Sequence, residues 1–128
     1  MGVMRKLTLL LAVVGAMVAL TAGVALAVTE DAGSGNDIVV GTDAADELYG
    51  GSGADRVYGY GSGDYVSGGS GSDPVLLGGA GRDGISGGSG SDTVYAADGY
   101  RDNIDCGSGF DYVQIDNFDR VTGCEARF

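Results

Sequence analysis

The chain has 128 residues, 26 of them glycine and one proline, with 18 acidic against 7 basic side chains, two cysteines, no histidine and no tryptophan. That length is enough for one domain. A net charge of −11 repels nucleic acid and favours cations, and without histidine the usual base of a nucleophilic triad is missing.

Residues 1–27 read as a secretory signal peptide. Arg5 and Lys6 precede an apolar run from Leu7 to Leu20, and Ala25-Leu26-Ala27 is an A-x-A cleavage site. An uncleaved anchor is the competing reading, which the small-residue end disfavours. No cysteine follows the run, which argues against a lipid anchor. Cleavage would leave residues 28–128 as one domain with 5 basic and 18 acidic side chains, a charge of −13. It would also leave a secreted, extracellular chain with no membrane attachment. Val28 to Ala32 is expected to be a short frayed lead-in.

A nonapeptide repeat fills the remainder. Gly50 to Tyr58 is GGSGADRVY, Gly68 to Leu76 is GGSGSDPVL, Gly78 to Ser86 is GGAGRDGIS and Gly87 to Tyr95 is GGSGSDTVY. An aspartate recurs in phase at Asp37, Asp46, Asp55, Asp64, Asp73, Asp83, Asp92, Asp102, Asp111 and Asp119. Most steps are of nine residues. Two longer ones place extra residues near Leu77 and around Ala96 to Arg101. An aliphatic residue follows in phase at Val39, Leu48, Val57, Val66, Val75, Ile85, Val94, Ile104, Val113 and Val121, which suits short strands. A disordered glycine-serine linker has no use for such a period. Three copies are degenerate: Gly41 to Tyr49, Gly59 to Ser67 with its glycines out of phase, and Ala96 to Asp105. Cys106 to Gln114 returns to the pattern with cysteine in the first glycine's place, and Ile115 to Phe128 reads as a terminal cap.

The turns explain their own composition. Tight turns that aim carbonyl oxygens inward need φ > 0, which glycine takes without a Cβ penalty. Aspartate adds a short, hard carboxylate. One such turn offers only part of the six to eight oxygens calcium takes, so a second, stacked turn is needed to complete the shell. The turn serines (Ser52, Ser70, Ser89, Ser91, Ser108) have no histidine partner, and a catalytic role is not expected for them or for the acidic pairs.

With its pattern G-G-x-G-x-D-x-U-x, U being a large aliphatic residue, the chain resembles the RTX, or haemolysin-type, calcium-binding repeat family over nearly everything after residue 32. The resemblance implies an all-β fold, a parallel β-roll in which two nonapeptides make one coil of 18 residues. It puts Asp37, Asp55, Asp73, Asp92 and Asp111 along one edge. Asp46, Asp64, Asp83, Asp102 and Asp119 line the other. It implies several calcium ions as cofactors, with about four firm sites on the better-formed first edge. The expected metal-binding residues are those aspartates as far as Asp111, with the turn glycines Gly50, Gly51, Gly53, Gly68, Gly69, Gly71, Gly78, Gly79, Gly81, Gly87, Gly88, Gly90, Gly107 and Gly109. Many RTX proteins carry a C-terminal export signal, and the N-terminal leader here departs from that habit. Cys106 and Cys124 lie one such coil apart, so a disulfide between them is expected.

The resemblance also fixes which side chains face out. Ile38, Val40, Tyr58, Pro74, Leu76, Tyr95 and Tyr112 would share the outer face of one sheet. Tyr58, Leu76 and Tyr95 would then mark a surface for a protein or glycan partner. The opposite face, with Glu47, Ser67, Ser86, Asn103 and Asp105, is expected to be inert.

Overall fold

The computed structural model describes residues 29–128; the expected signal peptide and Val28 lie outside the described residues. Twelve short strands follow one another: β1 (Thr29–Asp31), β2 (Ile38–Val40), β3 (Glu47–Ser52), β4 (Arg56–Tyr58), β5 (Tyr65–Ser70), β6 (Val75–Leu77), β7 (Gly84–Ser89), β8 (Thr93–Tyr95), β9 (Asn103–Asp105), β10 (Tyr112–Gln114), β11 (Arg120–Thr122) and β12 (Ala126–Arg127). Each glycine-rich turn reverses the chain, so successive strands fall on opposite sides. Odd-numbered strands form one six-stranded sheet and even-numbered strands the other, and every pairing is parallel. This is the expected β-roll.

Its core is thin because a three-residue strand turns only one side chain inward. Val39, Val57, Leu76, Val94 and Val113 stack in the even sheet. Leu48, Val66, Ile85 and Ile104 stack in the odd sheet. All nine are buried, with Ala32, Ala96 and Cys106 between them and Val121 packed partly buried against the cluster. Burying one such aliphatic side chain contributes about 1.5–3 kcal/mol.

Three expectations need correction. Leu76 is inside, not on the outer face, and its partners are Val57 and Val94. The cause is Pro74, which has no N–H to give the ladder. Val75 takes the place opposite Arg56, the extra residue of this repeat falls before the strand, and Val75 and Leu77 flank the buried position. The lead-in is not frayed. Thr29 to Asp31 pairs with Glu47 to Tyr49, and Glu30 stands buried in the aliphatic row beside Leu48, where desolvation raises its pKa. The C-terminal segment is not a separate cap either, since β11 and β12 extend both sheets by one more coil.

Cys106 and Cys124 form a disulfide, with Cα atoms 5.1 Å apart and a sequence separation of 18. Cys106 occupies the first-glycine place of its turn, which faces the interior. The bridge therefore ties the last coil to the one before it from the inside.

Candidate metal centre

The in-phase aspartates close the turns and point inward, and Asp37 to Asp111 are all buried. They form two ladders. The Asp37 amide donates to Asp55 Oδ1 at 2.8 Å, Asp55 to Asp73 at 2.9 Å, Asp73 to Asp92 at 2.9 Å and Asp92 to Asp111 at 2.8 Å. On the other edge the amides of Asp46, Asp64, Asp83 and Asp102 donate to Oδ1 of Asp64, Asp83, Asp102 and Asp119. The two rows are those that the family resemblance implies. From Asp55 and Asp64 onward, each carboxylate in the rows thus spends one oxygen on the backbone of the preceding coil, a role that sequence reasoning had not assigned.

The second oxygen is different. Oδ2 of Asp64, Asp73, Asp83, Asp92, Asp102 and Asp111 is buried with no hydrogen-bond donor among the described residues. A buried polar atom left so costs about 1–3 kcal/mol, more when it is charged. Burial accordingly raises Asp64, Asp92 and Asp102 to about 7 and Asp83 to about 6. The accepted amide pulls each of them back, and neighbouring carboxylates push further up. Asp73 and Asp111 shift in the same direction, again chiefly through burial.

Glycine makes the space around these oxygens. A Cβ on Gly50 would stand 2.7 Å from both Asp55 Oδ2 and the carbonyl oxygen of Gly68 in the next coil. One on Gly87 would stand 2.7 Å from Asp92 Oδ2, and Gly68 and Gly78 lie likewise under Asp73 and Asp83. The remaining expected glycines, Gly51, Gly53, Gly69, Gly71, Gly79, Gly81, Gly88, Gly90, Gly107 and Gly109, all have positive φ. Unpartnered carboxylate oxygens beside backbone carbonyls, in a cradle a methyl group would fill, are the donor set of a hard cation such as calcium.

A family model described as the RTX calcium-binding nonapeptide repeat matches in four copies, over residues 31–62, 40–73 and 75–101. The chain belongs to this family. No curated protein and no solved structure matches it. The RTX assignment accounts for the two ladders together with their glycine turns.

The degenerate copies depart from the RTX turn in distinct ways. In Gly59 to Asp64 the two positive-φ places fall on Tyr60 (φ 78°) and Ser62 (φ 71°), a conformation that L side chains adopt at a cost of about 1–2 kcal/mol each. In Gly41 to Asp46 the Asp46 carboxylate is engaged within its own turn, accepting from the Thr42 amide at 2.5 Å and hydroxyl at 3.1 Å. Sequence reasoning passed over Gly33 (φ 89°) and Gly35 (φ 114°), which complete a turn before Asp37; alanine in the first-glycine place, at Ala32, hid it. It also passed over Asp98, whose carboxylate lies with those of Asp83 and Asp102, oxygens within 4.8 Å of one another.

Proposed function

We propose that this is a secreted calcium-binding repeat protein whose folding is driven by calcium ions held between stacked glycine-aspartate turns. The observation that carries the reading is the double row of buried carboxylates, six of which accept a backbone amide of the preceding coil through one oxygen and have no donor to the other among the described residues. Asp37, Asp55, Asp73, Asp92 and Asp111 would hold ions on one edge, and Asp46, Asp64, Asp83 and Asp102 on the other, with carbonyl oxygens of the turn glycines completing each shell. Binding removes the cost of the bare oxygens and the repulsion within each row. Secretion rests on the leader-like residues 1–27 and on the disulfide, a bond that persists in oxidising compartments.

The ladders are expected to be unequal. Asp73→Ala removes the acceptor of the Asp55 amide together with a carboxylate facing two neighbouring turns. A calcium titration followed by circular dichroism should show the folding midpoint about tenfold higher, a change of about 1.4 kcal/mol. Asp46→Ala should move it less, because that carboxylate is engaged by Thr42. No shift for Asp73→Ala would remove that aspartate from the site, and equal shifts would make the two ladders equivalent.

A second reading is a calcium-stabilised adhesion or carbohydrate-binding module. A groove of about 380 Å³ on the even sheet favours it, with Tyr58, Leu77, Tyr95 and Gln114 in its lining. Leu77 supplies the apolar floor that was expected of Leu76. Glycan binding that survives both Tyr58→Ala and Tyr95→Ala would rule this surface out.

A further inference from the structure

We propose that the glycine-poor turn from Ala96 to Asp102 holds a calcium ion through three carboxylates, Asp98 joining Asp83 and Asp102. The proposal rests on the calcium-binding reading and extends it to a residue outside the repeat pattern. The turn is one residue longer than its neighbours and has alanine at both leading glycine places, so by pattern it is the least promising on its edge. The geometry says otherwise. The three carboxylate oxygens lie within 4.8 Å of one another, the separation of two oxygens across a calcium ion with bonds of about 2.4 Å.

An independent observation points to a ligand there. Asp83 and Asp102 are 1% and 0% exposed, and Oδ2 of each has no hydrogen-bond partner among the described residues. Asp98 Oδ2 is in the same condition, while its Oδ1 accepts from the Tyr100 amide at 2.8 Å. That bond fixes the carboxylate in place. The turn is held from the next coil as well, where Asp116 Oδ2 accepts from the Gly99 amide at 2.6 Å. Three carboxylates with an unused oxygen each, set in rigid positions, repel one another unless a cation sits among them.

Affinity of calcium sites rises with ligand charge and rigidity. A pair of regular turns offers two carboxylates, and this pair offers three. The site should therefore fill early in a calcium titration. Asp98→Asn keeps the oxygen that caps Tyr100 and removes the charge. Isothermal titration of the full chain with calcium, repeated with terbium excited through tyrosine, should show one site weakened at least tenfold in the variant while the remaining sites are unchanged. Asp98→Ala should do the same. Should both variants bind with the wild-type number of ions and the wild-type affinities, Asp98 is no ligand and this inference fails while calcium binding by the repeats stands. Should the wild-type chain bind neither ion, both fall.

Discussion

In chelator at pH 7.5 the protein comprising residues 28–128 is expected to lose its β-rich spectrum, and in millimolar calcium to regain it with a cooperative transition. Extracellular modules bind calcium with dissociation constants of about 10⁻⁴–10⁻³ M, and at ten times such a constant each site adds roughly 1.4 kcal/mol. Four to six sites then supply roughly 6–8 kcal/mol, the scale of a small domain's whole stability. The core has little to set against that loss, with at most one inward aliphatic residue per strand. Acid should partly replace the ion. Burial holds the folded-state pKa of Asp64, Asp92 and Asp102 at about 7 and of Asp83 at about 6, above the ordinary carboxylate value near 4. The metal-free fold thus binds more protons than the unfolded chain between about pH 4 and 7. Its stability is greatest below pH 4 and falls as pH rises through 7. In chelator, lowering the pH from 7.5 to 5 should recover β signal; with calcium present the same change should weaken binding. Identical spectra and melting temperatures in chelator and in calcium at pH 7.5 would end the folding claim.

The second large effect is expected from Gly69→Ala. Gly69 has φ +99° and its missing Cβ points at the backbone carbonyl oxygen of Gly51 in the preceding coil. A methyl group there meets both an unfavourable backbone angle, worth about 1–2 kcal/mol, and an atom that can retreat only if the two coils separate. A destabilisation of about 3–5 kcal/mol is expected in saturating calcium, in the range of severe core lesions. Gly99→Ala provides the comparison. Its φ is +90° but nothing lies within 4 Å of the added Cβ, so only the backbone term of about 1–2 kcal/mol applies. Denaturant melts of the two variants should differ accordingly, and equal losses would mean that coil spacing is not what glycine protects.

The roll was legible in the sequence because its two signals share one period. The aspartates and the aliphatic residues keep a fixed offset through most of the chain, and with the 18-residue coil that the family resemblance implies this placed both carboxylate rows and the disulfide correctly. Legibility failed where a single residue carried the exception. Pro74 shifted the inward position from Val75 to Leu76, which pattern alone cannot tell apart when three aliphatic residues stand together. Glu30 occupies a place where the period asks for an aliphatic residue, so the first strand looked like a tail. Asp98 lies off the motif and becomes a site residue only through what the neighbouring coil sets beside it. The bond from each aspartate to the preceding coil was invisible for another reason: ion ligation alone seemed to explain the carboxylate, and nothing in the spacing demands a second task.

That bond has a direction. Each amide donor belongs to one coil and its acceptor to the following one, at separations of 17 to 19 residues through both ladders. Duplicating one whole coil therefore preserves every link, since the new coil accepts from the one before it and donates to the one after. The exception is the final acceptor. The Asp111 amide finds Glu125 Oε2, 14 residues on, at 2.8 Å, and the longer side chain closes the row among the described residues. A fold of this kind can lengthen or shorten by tandem duplication and loss without redesign of its interior. Its terminal glutamate is the part that has to stay last.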